Sequence, residues 1–245
     1  LIEQMTAEEE LSKPFAFTLE LLSDDAHIEM KELMGVMMTV ELEQADGSAR
    51  YFNGYVTKAA HAGSDGGYCV YRVTLSPWTK LLHNRIDNYI FHDKTLTDTI
   101  DEIFADYQPY ADYQIRVHGK VEPETFRVQG GMVEPHAPHG ESDANYLHRR
   151  LEEKGWYYWH EHRKDGHTLI ISDNSTVAAD PIDGSGKVRF HGDPATLPED
   201  TIQQWTTRRS LAPGKVSVTS FDFKCPRVSR NDTDTRNNQG PVLQT

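Results

Sequence analysis

The segment from Ser142 to Ile171 constrains this chain more than any other. Tyr146, Leu147, Arg150 and Leu151 recur at helical spacing, with Ser142 or Asp143 placed to cap. Lys154 and Gly155 then supply a basic last turn and a C′ glycine. From Trp156 the pattern becomes that of strands. Trp156-Tyr157-Tyr158-Trp159-His160-Glu161-His162 and His167-Thr168-Leu169-Ile170-Ile171 flank Lys164-Asp165-Gly166, giving an aromatic and β-branched hairpin around a tight turn.

The first third alternates in the same way. Phe15, Phe17, Leu19 and Leu21, and then Val36, Met38, Val40 and Leu42, predict half-buried strands. Asp46-Gly47 predicts the turn into a strand over 50–56, and Gly63 to Gly67 predicts the turn into a strand over 68–75. A meander of this kind favours a barrel or a sandwich. Leu96, Ile100, Ile103, Phe104 and Tyr107 mark one face of a helix opened by a capping-box-like Thr95 to Asp98 and ended by Pro109. Residues 173–200 read as loop, residues 202–207 and 216–223 as a last strand pair, and the chain after Pro226 as a polar tail. The fold class is α+β and mostly β.

Charge and composition narrow the function. A net charge of −13 repels phosphate backbones and argues against nucleic acid as a partner. No apolar run reaches the roughly 20 residues of a membrane helix. The chain opens at Leu1 without a Met, as a processed or truncated sequence would. It lacks a basic start followed by an apolar stretch, so no signal peptide is expected. Two cysteines, Cys69 and Cys225, make no disulfide framework, and Cys69 reads as a buried free thiol.

Candidate chemistry is sparse. His160 and His162 lie two apart on a strand and face one side, a spacing metal sites use, but no third ligand is announced. His136 and His139 sit in a Pro- and Gly-rich loop, a poor platform for coordination. Ala62-Gly63-Ser64-Asp65-Gly66 approaches the nucleophile elbow, yet a strand rather than a helix follows it. Glu141 and Asp143 stand at a helix N-terminus, where capping explains carboxylates better than acid–base catalysis does. Gly184-Ser185-Gly186 lacks the spacing of a phosphate loop. No residue is assigned a catalytic, cofactor-binding or metal-ligating role, and no cofactor is expected. A carbohydrate-binding module using exposed Trp and Tyr is the alternative of a different class.

The order of the pieces resembles the VgrG spike proteins of type VI secretion. The landmarks are Glu10-Leu11-Ser12-Lys13-Pro14-Phe15, Leu33-Met34-Gly35-Val36, Arg50-Tyr51-Phe52-Asn53-Gly54-Tyr55-Val56 and Tyr71 to Trp78. Tyr89-Ile90-Phe91 follows, then Glu141-Ser142-Asp143 through Tyr158, the most specific match, and Thr219 to Pro226. Val128 to Gly140, rich in Gly, Pro and His, departs from the family pattern. The resemblance implies two barrel-like antiparallel sheet subdomains with a small α/β insertion. The subdomains would be 1–85 and 131–226, the latter incomplete, with the insertion at 86–130 and a tail or linker at 227–245. It implies a homotrimeric, non-enzymatic hub that docks on a hexameric tube protein and works with baseplate components and effectors. The same fold in a contractile phage tail hub is the runner-up. Members are made in the cytoplasm, assembled at the baseplate and secreted by the machine. They typically continue into an OB-like domain and a β-helical spike that these residues do not include, so direct membrane insertion is not expected. Trp156, Trp159, Glu141, Asp143 and Phe91 are the structural or interface candidates, with the aromatic run 156–159 divided between core and subunit contact.

Overall fold

Period-2 sequence becomes a curled sheet at the start of the chain. The computed structural model describes residues 1–44, 47–86, 89–128, 141–176, 189–190, 201–202, 204–222 and 225–235. They fall into two units, Leu1–Gly186 and Lys187–Thr245. In the first unit, β1 (Ile2–Glu8), β2 (Ala16–Ser23), the one-turn helix α1 (Met30–Leu33), β3 (Met37–Glu43), β4 (Ala49–Asp65) and β5 (Tyr68–Ser76) follow in order. The five strands pair antiparallel as β1-β2-β5-β4-β3 and curl into a half-barrel.

Cross-strand register explains the curl's interior. Phe17 faces Leu75, Leu19 faces Val73, Val56 also faces Leu75, and Val40 faces Phe52. All seven are buried and, with Phe15, form one apolar cluster. Alternation thus puts the predicted apolar face inward. Leu42 and Val36, at the ends of the third strand's pattern, are exposed.

Three details differ from expectation. The strand predicted to end near residue 56 runs on to Asp65, with register shifts at 56–58 and 61–63, and the chain reverses only at Gly66-Gly67. Both glycines have positive φ, 56° and 100°, as a two-residue hairpin loop of this hand requires. Cys69 is half-buried rather than buried, because β4 and β5 extend beyond the apolar cluster at that end. Strand β1 carries no apolar alternation, only Ile2 and Met5, and is an edge strand that leaves no sequence signal of its own.

The rest of the first unit surrounds a second core. A 3-10 turn (Trp78–His83) leads through β6 (Tyr89–Lys94), α2 (Leu96–Ala105), β7 (Tyr113–Arg116) and β8 (Glu124–Val128) to α3 (Asp143–Lys154), β9 (Tyr157–Arg163) and β10 (Gly166–Ser172). Thr95 and Asp98 form a reciprocal capping box on α2. Its predicted face, Leu96, Ile100, Ile103 and Phe104, is buried with Tyr107 just beyond. On α3 it is Ser142 that caps, accepting from the Asn145 N–H, and Gly155 closes the helix in the left-handed conformation. Strands order as β7-β10-β9, with β9 and β10 antiparallel as predicted, while β6 pairs with β8. Strand β7 had no signal in its four-residue sequence, and it joins β10 in parallel, with Ile115 beside Ile171. A parallel partner can come from anywhere along the chain, so local pattern does not announce it.

In the second unit, β11 (Lys215–Asp222) and β12 (Cys225–Asp234) form an antiparallel ribbon. The residues after Pro226, read from their polarity as tail, are therefore strand as far as Asp234. In a ribbon whose described side chains are largely exposed, strand pairing asks for no apolar face. At residues 202–207 the described residues show only an isolated bridge between Phe190 and Ile202 in place of the expected strand. His136, His139, Gly184-Ser185-Gly186, Asp46 and the departing stretch 129–140 lie outside the described residues. No helix among the described residues is long and apolar enough to cross a membrane.

Candidate functional site

Strand β9 sorts its aromatics by parity. Tyr158 turns inward to the second core, together with Trp156 just before the strand, and both are buried. Tyr157 and Trp159 turn to the other face, where their rings stack with centroids 5.8 Å apart. Arg116 of β7 lies over the Trp159 ring at 5.9 Å and reaches both carboxylate oxygens of Glu161, at 3.1 and 3.3 Å. The Trp159 indole N–H also donates to Glu161, at 3.3 Å. Ile170 beneath is completely buried although it belongs to neither apolar cluster. Beside Trp159 a cleft of about 250 Å3 is lined by Glu9, Glu10, Leu11, Lys13, Phe15 and His160, and Leu11 is 66% exposed at its rim. Stacked Tyr and Trp with an overlying Arg is the side-chain mixture that protein–protein contacts favour.

The inner face of the same hairpin carries three imidazoles. His160, His162 and His167 surround the Phe15 ring edgewise, at 5.0, 4.8 and 5.2 Å between centroids. His160 and His162 do share a face, as their spacing predicted. Burial, followed by the neighbouring imidazoles, pushes His160 down to about 3, and burial pushes His167 to the same value. Both are neutral at pH 7. His162 meets Glu9 Oε1 at 3.1 Å and accepts the Asn53 backbone N–H at 3.2 Å. Among the described residues no group of three or more His, Cys, Asp or Glu is placed to hold a metal ion. Ser64 is exposed on the β4–β5 hairpin with a tight turn and then a strand after it, not the helix an elbow needs.

The other candidates are tied into helix α3. Asp143, 5% exposed, accepts a 2.6 Å hydrogen bond from the Tyr107 hydroxyl beyond α2. Burial and this carboxylate raise the Tyr107 pKa. The Asp143 backbone N–H donates to the Arg85 carbonyl, so one residue joins the 3-10 turn region to both helices. Glu141 pairs in bidentate fashion with Arg149, at 2.8 Å for each bond. Phe91 is 3% exposed and packs on Tyr146, with centroids 5.6 Å apart. Tyr107 was legible as part of a helical face, but its bond to Asp143 and the whole role of Arg116 were not, because each partner lies on an element far away in the chain.

Comparison with known proteins agrees with this architecture. Residues 8–244 match the phage tail baseplate hub (GPD) family. Over 228 residues, 92% of this chain, the sequence is 29% identical to the type VI secretion system spike protein VgrG1b of Pseudomonas aeruginosa. It is 28% identical over 229 residues to VgrG1a of the same organism. The chain spans only 29 and 34% of those two relatives' lengths. Among solved structures, the E. coli c3393 protein has a TM-score of 0.60 at 16% identity, covering 91% of this chain and 56% of that one. That protein is a component of the type VI secretion system with structural similarity to the T4 bacteriophage tail proteins gp27 and gp5. The 43 kDa tail protein of prophage MuSo2 from Shewanella oneidensis has a TM-score of 0.51 at 18% identity, covering 94% of this chain and 68% of that one. The chain, mostly β with a curled five-stranded sheet, belongs to the phage tail baseplate hub family.

Proposed function

We propose that this chain is the hub portion of a type VI secretion spike, a structural part that assembles as a trimer and docks on the hexameric tube protein. The observation that carries this is similarity to spike proteins along 92% of the chain, joined to a curled sheet of hub type. In this reading residues 1–85 and 131–226 are the two tube-facing subdomains and residues 86–130 the insertion. Three copies of two such subdomains would present six quasi-equivalent surfaces to a sixfold tube. The work asked of the chain is rigid shape and surface complementarity rather than acid–base chemistry. Two buried neutral histidines suit that role, and so does a Tyr107–Asp143 bond spent on joining helices. Baseplate components and effectors would be further partners, and the assembled hub would leave the cell with the machine.

Within that assembly the Tyr157–Trp159–Arg116 face is the proposed subunit contact, with Trp156 and Phe91 holding the core behind it. Glu141 and Asp143 fix the helix on which β9 starts. The likeness to a prophage tail protein favours a second setting for the same part, the hub of a contractile phage tail. Light scattering across a concentration series tests the trimer. A mass of three times 27.9 kDa, or 83.7 kDa, is expected. A stable dimer or tetramer would sink the proposal, since neither symmetry fits a sixfold tube.

A further inference from the structure

The joint between the five-stranded sheet and the β9–β10 hairpin is made through histidine nitrogens. His167 Nε2 accepts the Trp78 backbone N–H at 3.2 Å. That role fixes its neutral tautomer: the proton is on Nδ1, which is buried and has no hydrogen-bond partner among the described residues. His162 Nδ1 accepts the Asn53 N–H across the same joint, and the Asn53 side-chain amide donates to the Arg163 carbonyl. His160 Nε2 is likewise buried without a partner among the described residues.

We propose that this joint is an acid-labile pin: His167 holds β10 to the Pro77–Trp78 turn only while its ring is neutral, and a proton taken up there, or on neighbouring His160, releases it. Protonation turns Nε2 from acceptor into donor, so two N–H groups would face each other where one bond stood. The described carboxylates around the ring are already engaged. From the five-stranded sheet and its approaches, Glu9 is taken by His162, Arg50 lies over the Phe52 ring at 4.8 Å, and Tyr55 packs its ring at 5.9 Å from His167. From the hairpin, His160 and His162 stand with ring centroids 5.9 Å from His167. Asp112, before β7, is held by Arg163, which Asp165 also pairs. A second imidazolium in this group would meet the first at short range in a buried setting.

The direction in pH follows from proton uptake. Below the ordinary imidazole value of 6.5 the unfolded chain binds protons that folded His160 and His167 refuse until about 3. Stability therefore falls as pH drops through that window. Asp98 and Asp173 are held below their ordinary 3.8 and act only lower down, whereas burial also lowers His83 and His148, so between pH 6 and 5 it is the change of slope on substituting His160 or His167 that is diagnostic.

The test is urea unfolding of the whole chain at pH 7.5, 6.0, 5.5 and 5.0, for wild type, His167→Gln and His160→Phe. The first substitution keeps an acceptor for the Trp78 N–H in a side chain that does not titrate. The second keeps an aromatic edge against Phe15 and removes the titrating ring. Each excluded proton steepens the unfolding constant by about tenfold per pH unit. His160 and His167 together should raise the wild-type unfolding constant by roughly sixtyfold from pH 6 to 5, to which the lowered His83 and His148 add, and each variant should rise by about eightfold less. A flat wild-type profile, or variants with the wild-type slope, would overturn the proposal. Should neither variant fold, an NMR titration of wild-type imidazoles decides. His160 and His167 unprotonated to pH 5 support the pin, and either one titrating near 6.5 in the folded chain refutes it.

Discussion

Two single residues show how far from their sequence neighbours the decisive contacts lie. Asp143 stands where a helix N-terminus welcomes a carboxylate, but its oxygen is occupied by Tyr107, 36 positions earlier. A hydrogen bond to a buried charged group contributes about 1.5–3 kcal/mol. Tyr107→Phe is therefore expected to lower unfolding free energy by about 2 kcal/mol with the helices retained, read by urea denaturation. Gly54 makes a different demand. A Cβ there would sit 2.9 Å from the Ser76 carbonyl oxygen and 3.0 Å from Phe15 Cε2. Glycine in a strand interior often marks such a close approach. Gly54→Ala should destabilise by about 1–3 kcal/mol through overpacking, measurable as a lower melting temperature. An unchanged melting temperature would mean that the strands move apart at little cost.

Strand β9 serves two surfaces at the scale of an element. Removing Trp156 from the second core opens a large void, for which about 3–5 kcal/mol is the usual cost. Trp156→Ala should then lose cooperative unfolding or most of its stability. Trp159 lies on the outer face, half-buried, beside an Arg116–Glu161 ion pair that is itself too exposed to contribute more than about 1 kcal/mol. Trp159→Ala should leave the monomer's circular dichroism and melting nearly intact and weaken self-association in sedimentation. Equal effects of the two changes on stability alone would remove Trp159 from the contact. The outer face has an amphipathic, rigid composition that the alternation of β9 alone makes visible, since odd and even positions must part.

At the scale of the molecule, both apolar clusters lie within Leu1–Gly186. One fills the curl of the first sheet, and the other packs α2 and α3 against Trp78, Leu169 and Ile171. In the second unit β11 and β12 pair as a two-stranded ribbon, and an isolated two-stranded ribbon is marginal in water. A chain ending at residue 186 is accordingly expected to fold, with far-ultraviolet dichroism and a cooperative melt close to those of the full sequence. If that truncation were unfolded, the ribbon would have to supply contacts that the two clusters lack.

Local order was legible wherever physics acts within a few residues. The apolar spacing from Leu96 to Phe104, the Thr95–Asp98 box, the Ser142 cap and the Lys164-Asp165-Gly166 turn each follow from backbone geometry over less than three turns of chain. The inward face of β2, β4 and β5 follows from alternation alone. Sequence was silent where the partner is distant or the strand has no apolar side. Strand β7 pairs with β10 across more than fifty residues, and β1 and β12 carry little apolar alternation. The histidine cluster is the plainest case. Spacing places His160 and His162 on one face, but only the stacking of the hairpin on the first sheet brings them and His167 around Phe15, with Asn53 bonded to a residue 109 positions away. Periodicity determines which side of an element is buried; which side of which other element it meets is a property of the packed whole, and there the tertiary structure decided.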